Sequence, residues 1–590
     1  VATPHARVRT RRRHTMVTQE LVDTEDKYAE AKAYINGRTD RITMDTETDG
    51  LSVYRNQMVG TGILSGERAF YLPFRHAEGR NLPVTLIPDM CGTILRKDRP
   101  QNGYHYGFDI KMMAKEGMEV PDNFTDGILR GHLLNENEDS FKLENMCDKY
   151  GIGDDPCGAD NRLTDLLVER FGGSRQKAKG NLWRLSGQET LDYGTQDLIS
   201  TRELTEFQQP HLETWGLADI AAEVEDFQSA ICLMEMRGIN LDLEHMETLR
   251  EVARLKADEF EARLQAAAGF PINPRSPKQL QKWFGIKSTA KDVLAAMPDN
   301  PHAQMVLDYR GWQKVEGSYY KAFAKHHVDS ILHANLRLTG TTSGRLSCSE
   351  PNLQAVPRQA GPNHPFFGVK ECLIAPEGYW FVELDLSQAE VRVMCHYTKD
   401  PNLTDIIVNG LNMHTVVAEK MGIDRDTAKR LNFSAQYGIG APAFAKTYGY
   451  SVPESRRYLA GYHQTFPGMK QLYNTCDRTA KTRGYLRMFT GRVRHFNHLR
   501  APTHKGSSNL VQGDVAEMMR IAITRIRHEV PGFEQILTVH DCTCGYVKIG
   551  DLDSIRHAKS IMEDQPWCSI KMVADCKAGP SWSKAEELEL

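Results

Sequence analysis

The chain has 590 residues, of which 40% are hydrophobic and 25% charged, with a formal net charge of −4. That length can bury large cores in more than one domain, no run of about 18 apolar residues suggests a membrane span, and near-neutral charge leaves any nucleic-acid partner to local basic patches. Its 12 cysteines are scattered without a CxxC pair and, with no signal peptide, read as reduced thiols of a cytoplasmic protein. The first fifteen residues crowd Arg7, Arg9, Arg11, Arg12 and Arg13 without an acid. A targeting peptide, a nucleic-acid arm and non-native sequence are all open there, and Met16 is a candidate natural start. Residues 1–20 are expected to form a disordered basic tail.

Residues 41–51 read as a β-strand running into a turn. Side chains two apart on a strand share a face, so Asp45 and Glu47 lie side by side. Carboxylates held that way repel unless a cation joins them, and a divalent metal is the natural partner. Alone, the pair is also what a solvated strand end looks like. Two later features add to it: Asp109 closes the segment that begins at Tyr104, and Tyr193 and Asp197 share a helix face at i,i+4 spacing. Asp45, Glu47, Asp109, Tyr193 and Asp197, in this order, resemble the three motifs of the DEDD 3′→5′ exonucleases in the version that ends YxxxD. The resemblance implies an RNase H-like α/β domain over 21–210 in which the four acids hold two Mg²⁺. Tyr193 would orient the attacking water and Leu51 would wedge against the terminal base. His105 stands where that family often has asparagine. Residues 150–185, rich in Gly, Asp, Lys and Arg and containing Cys157, look like an irregular excursion within this domain. Its end is expected near 205–220, around Pro210 and Gly216.

Beyond that boundary Val224, Phe227, Ile231 and Met234 follow helical spacing, with Gly238 placed as a C-cap. Residues 273–280 and 288–294 read as helices with polar turns, whose lysines suit phosphate contacts. Residues 381–392 read as a buried strand ending in Asp385, then a helix carrying Glu390. Arg425, Lys429, Phe433 and Tyr437 recur every four residues, so they climb one side of a helix. Long cations can grip a polyphosphate, and the aromatics give a flat wall for a base. The bland alternative is an amphipathic helix with a cationic end. Residues 536–547 read as two short apolar strands with Asp541 at their turn. A Walker GxxxxGK[ST] pattern is absent, and Gly438, Gly440 and Ala443 only mimic a dinucleotide fingerprint, since they follow a helix and include Pro442.

The strand-end Asp385, the 425–437 helix and the turn acid Asp541 resemble motifs A, B and C of family A, the DNA polymerase I-like enzymes. The resemblance extends through residues 233–242, 339–354, Gln512, Gly513 and 577–582. It implies an α+β right-hand polymerase domain over 211–590, with a thumb at about 222–330, a palm at about 331–395 and 510–590, and fingers at about 396–509. Asp385 and Asp541 would hold two Mg²⁺, with Mn²⁺ as a substitute, for template-directed nucleotidyl transfer. Arg425, Lys429 and His414 would bind the triphosphate, with Lys429 also protonating the leaving group. Phe433 and Tyr437 would pack on the incoming sugar and nascent pair, and Glu390 would exclude a ribose 2′-OH. Arg345, Gln512 and His540 would contact the primer end, and Asn352 and Gln354 the template or primer. Phe433 lacks the hydroxyl of a tyrosine, which implies discrimination against dideoxynucleotides.

Three departures stand out. Cys542 replaces the usual glutamate after the motif C aspartate, implying altered metal affinity. Leu386 and Ala389 replace a common tyrosine and isoleucine, which suggests a divergent, bacteriophage-type member. Ser508 stands where an asparagine is usual, four residues before Gln512. Primer-template DNA, dNTPs and replication accessory proteins are the expected partners of a cytoplasmic monomer without a 5′-nuclease domain. A stand-alone exonuclease would lack the second cluster, and a non-catalytic relative would lose Asp385 or Asp541. Reverse transcription is not distinguished.

Overall fold

The computed structural model describes residues 17–153, 158–297, 299–357, 364, 366, 368–496 and 501–590. The tail arginines, Met16 and Cys157 lie outside the described residues.

A six-stranded sheet runs in the order Thr18–Leu21, Arg68–Pro73, Met58–Ser65, Ile42–Thr48, Gln101–Gly103, Phe124–Asp126. The three middle strands pair antiparallel, and the outer pairs are parallel. Met58–Ser65 is buried along its whole length, as expected of a strand covered on both faces. On one face Ile42, Met44, Ile63 and Phe70 join Ile87 and Ile110 in a core. The other face, which carries Asp45 and Glu47, is covered by the 29-residue helix Gly187–Trp215.

That helix starts at a capping box, in which Ser186 and Glu189 satisfy each other's backbone N–H, and runs through Pro210 to Gly216 in the left-handed region. It can lie close because the strand facing the acids has no side chains in its way. Gly62 stands opposite Asp45 and Gly60 opposite Glu47. A Cβ on Gly62 would come within 2.4 Å of the Gly194 carbonyl oxygen, and one on Gly194 within 2.8 Å of the Tyr71 ring.

Residues 150–185 correct the expectation of an irregular excursion. They contain helix Gly158–Phe171, helix Arg175–Ala178 and a 3₁₀ turn, Lys179–Arg184. Leu163, Leu167, Ala178 and Leu182 pack with Val59 and Tyr193. Their helical spacing was hidden among charges that face solvent.

Helix Ala218–Arg237, ended by Gly238, buries Val224, Phe227, Ile231 and Met234. It belongs to both halves, because Cys232 joins the core of the first sheet and Ile231 the large core that continues to Trp582. Helices Leu243–Ala268 and Pro301–Val315 pack on each other. A second, antiparallel sheet is ordered Glu534–Val539, Cys542–Lys548, Tyr379–Leu386, Ala574–Gly579, Glu586–Glu587. Helix Gly506–Glu529 packs against Ala218–Arg237, Ala389–Thr398 and Pro467–Arg483. Among the described residues no helix is long and apolar enough to cross a membrane.

Candidate active sites

Asp385 lies near the end of the middle strand of the second sheet, opposite Cys542 on one side and Asp575 on the other. His540 and Asp541 form the tight turn between the two neighbouring strands, and His540 takes a φ of 58°. The Leu386 N–H donates to the Asp541 carbonyl at 2.9 Å, which ties the two acid-bearing backbones together. Burial, then the negative charge of Asp541, pushes Asp385 up to about 7. Burial raises Asp541 as well, although Arg345 and His540 favour its charged form. Two like-charged carboxylates meeting in a half-buried place fit a hard divalent cation.

Helix Arg425–Ala435 is capped by Asp424, whose side chain accepts from the Thr427 N–H at 2.8 Å. Thr427, Ala428, Leu431, Asn432 and Ala435 are buried, which leaves Arg425, Lys429 and Phe433 on the open side. Tyr437 falls just past the last helical residue, in a tightened turn where its N–H reaches the Ser434 carbonyl, and it too is exposed. The Tyr437 hydroxyl donates to Glu390 at 2.6 Å, and Arg345 pairs with the other Glu390 oxygen. Gln512 also reaches Tyr437. His414 packs on Phe433 with ring centroids 5.5 Å apart. Burial, then Arg425 and Lys429, hold its pKa below the usual imidazole range. Glu390 and Arg345 also act on the Asp541 carboxyl, so the Tyr437 end of this open side lies near the paired acids. Arg345, Gln354 and His540 line one cleft with Gly344 and Phe227. Gln354 is engaged there, donating to the Thr538 carbonyl at 3.0 Å. Asn352 is exposed at the start of the turn Leu353–Ala355.

In the first sheet, Asp45 and Glu47 share a face as alternation requires. Asp109, in the first turn of helix Gly107–Lys115, accepts from the Thr46 N–H at 2.9 Å and the Thr46 hydroxyl at 2.6 Å. Asp197 comes from the covering helix. Burial followed by neighbouring carboxylates raises Asp45, and burial raises Glu47 and Asp109. Burial lifts Asp197 to about 7, against the pull of Lys179. One oxygen of Glu47 is buried without a hydrogen-bond partner. An orphaned buried oxygen among raised acids is what a divalent cation would satisfy. Tyr193 is buried with its hydroxyl 2.9 Å from the Lys179 ammonium, whereas Leu51 is 91% exposed on the loop beyond the strand.

Sequence reasoning missed four contributors. Lys179 pairs with Asp160, lies 4.5 Å over the Tyr193 ring, and brings a positive charge to the acid cluster. Asn432, fully buried, hydrogen-bonds the His414 Nδ1 at 2.9 Å and so orients that ring. Thr46 holds Asp109, and Asp575 places a third carboxylate beside Asp385. Only Asn432 carried a local signal: a polar residue on the buried side of an amphipathic helix needs a partner.

The sequence profile described as DNA polymerase family A matches residues 243–584. DNA polymerase I of Synechocystis sp. is 24% identical over 92% of this chain and 60% of its own length. The thermostable DNA polymerase I of Thermus aquaticus is 27% identical over 74% of this chain and 57% of its own. The chain therefore spans about three fifths of the length of these relatives. A solved structure, the POL domain of Pol1 from M. smegmatis in complex with DNA primer-template and dNTP, matches with a TM-score of 0.79. That match covers 96% of this chain and 99% of the other, at 18% identity.

Proposed function

The chain belongs to DNA polymerase family A, and on that premise we propose that it extends a DNA primer 3′-OH with dNTPs on a DNA template and edits the product with a 3′→5′ exonuclease in its first sheet domain. The meeting of Asp385 and Asp541, far apart in sequence, with Arg345 and the Tyr437-bonded Glu390 close to Asp541, carries the reading. Primer-template DNA and dNTPs are the proposed partners of a cytoplasmic monomer, with accessory proteins of replication as further candidates. The phage origin suggested by Leu386 and Ala389 rests on those two positions, while the curated relatives named above are bacterial.

Mg²⁺, or Mn²⁺ in its place, would be held by Asp385 and Asp541 and, in the first domain, by Asp45, Glu47, Asp109 and Asp197, and when bound it supplies the charge that acidifies an attacking hydroxyl or water and offsets charge on a leaving oxygen. Arg425 and Lys429 grip the triphosphate, with Lys429 placed to give a proton to the departing pyrophosphate. His414, held by Asn432 through Nδ1, presents its Nε2–H to the same phosphates. Phe433 forms a wall for the incoming sugar and base. Tyr437 and Glu390, locked by their hydrogen bond, crowd the place a ribose 2′-OH would occupy. Arg345, Gln512 and His540 face the primer end, where minor-groove acceptors recur at the same place in every base pair; Asn352 and Gln354 lie along the same strand path. In the first domain Tyr193, supported by Lys179, orients the attacking water, and the exposed Leu51 separates the terminal base.

Extension of an end-labelled primer on a DNA template tests the polymerase reading. Wild type should lengthen the primer only with dNTPs, and Asp385→Ala should fail to do so. Extension by Asp385→Ala at the wild-type rate would rule the reading out.

A further inference from the structure

The face of the second sheet that carries Asp385 also holds, two residues back along the strand, a cluster that the proposed reaction does not use. Residues two apart on a strand share a face, and directly paired residues on neighbouring strands lie with Cβ atoms about 4.5–5.5 Å apart. Cys544 pairs with Glu383, and Cys542 with Asp385. Cys542 and Cys544 are 4% and 0% exposed, and their sulfurs are 3.8 Å apart. Both sulfurs and a Glu383 oxygen lie within 4.8 Å of one another. Among the described residues this is the one place where three His, Cys, Asp or Glu donors come so close.

We propose that Glu383, Cys542 and Cys544 form a binding site for one thiophilic divalent cation of the Zn²⁺ type, separate from the carboxylate site at Asp385 and Asp541. The spacing suits it: with Zn–S bonds of about 2.3 Å, two sulfurs of a tetrahedral site stand ~3.8 Å apart. Two thiolates select for soft cations against Mg²⁺. The surroundings hold the carboxylate in place. The Trp582 indole N–H donates to one Glu383 oxygen, and the Trp582 ring stacks on Phe381 with centroids 5.7 Å apart. The Lys370 ammonium lies 3.9 Å from Glu383 and 3.8 Å over the Trp582 ring. Binding releases two thiol protons to solvent and involves no electron transfer. Asp385, two residues on from Glu383, lies about 7 Å further along the same strand. A cation here therefore repels the one that Asp385 binds and raises the Mg²⁺ needed there.

Cd²⁺ titration of the full chain, stripped of metal and kept reduced with a non-chelating phosphine, tests the site through sulfur-to-cadmium charge-transfer absorption. Wild type should take up one Cd²⁺ per chain with a saturable band, and Zn²⁺ should compete for it. Cys542→Ala and Cys544→Ala should each lose at least half of the band. Trp582→Phe, which leaves all three ligands in place, should keep the band and weaken Cd²⁺ about 10-fold. The absence of a saturable band in wild type, or an undiminished band in both cysteine variants, would overturn the proposal. The readout needs no DNA, so it is independent of the polymerase reading.

Discussion

Phe433 presents a half-exposed ring beside His414 and one helical turn from Lys429. It has no hydroxyl to replace the 3′-OH that a dideoxynucleotide lacks. A single hydrogen bond to a charged group contributes about 1.5–3 kcal/mol. Phe433→Tyr should therefore raise ddNTP incorporation relative to dNTP by about 10- to 100-fold, read from chain-termination ladders. Equal use of both nucleotides by the unmodified enzyme would contradict the placement. The buried acids make a second prediction. Folding raises Asp385 and Asp197 to about 7, so the folded chain holds more protons than the unfolded one between about pH 4 and that value. Their contribution to stability is complete below the unfolded pKa and is lost as pH rises through about 7. In EDTA the urea midpoint should fall between about pH 5.5 and about pH 8, and Mg²⁺ should restore it at the higher pH. At this scale the acids were legible because DxE, YxxxD and the strand-end aspartates combine chemistry with fixed spacing. Lys179 and Asp575 were not, because what brings them to the sites is tertiary packing with no local pattern.

Elements place the residues. Helix Gly187–Trp215 delivers Tyr193 and Asp197 to Asp45 and Glu47 only because Gly62 lets the Gly194 carbonyl approach. Gly62→Ala puts a methyl against backbone, which costs about 1–3 kcal/mol and lifts the helix. Exonuclease activity on a mismatched primer end should fall at least about 10-fold, and dNTP-dependent extension should persist. Equal loss of both would point to general unfolding, and no loss to a helix that moves without consequence. The strand–helix order around Asp385, the hairpin at Asp541 and the 425–435 helix followed from periodicity and capping. The 158–184 helices did not, because their charged faces outnumber the few apolar residues that anchor them.

A buried polar network joins the two halves of the molecule, beside the apolar contacts of helix Ala218–Arg237. Glu136, at the end of helix Gly127–Leu134, pairs with Arg494 and accepts from the His495 Nδ1 at 2.8 Å. Arg492 pairs with Glu517 at 3.0 Å and approaches His132. Despite burial, hydrogen bonding and charge from His495, with Arg494 adding to it, hold Glu136 down at about 2. Its contribution to stability is therefore present above the ordinary glutamate pKa and is lost as pH falls through about 2. Glu136→Gln leaves Arg494 buried and uncompensated, which should cost about 3–5 kcal/mol at neutral pH. One broadened or split denaturation transition is expected in place of a single one, measured with probes in both halves. None of this was visible in the sequence, where Glu136 and Arg494 belong to segments of different apparent function.

The most direct test follows both reactions on one end-labelled, mismatched primer-template in Mg²⁺. Asp541→Ala should abolish extension and keep degradation, and Asp45→Ala should abolish degradation and keep extension. Extension by Asp541→Ala, or both activities lost together in Asp45→Ala, would contradict the assignment of two chemistries to two sheets.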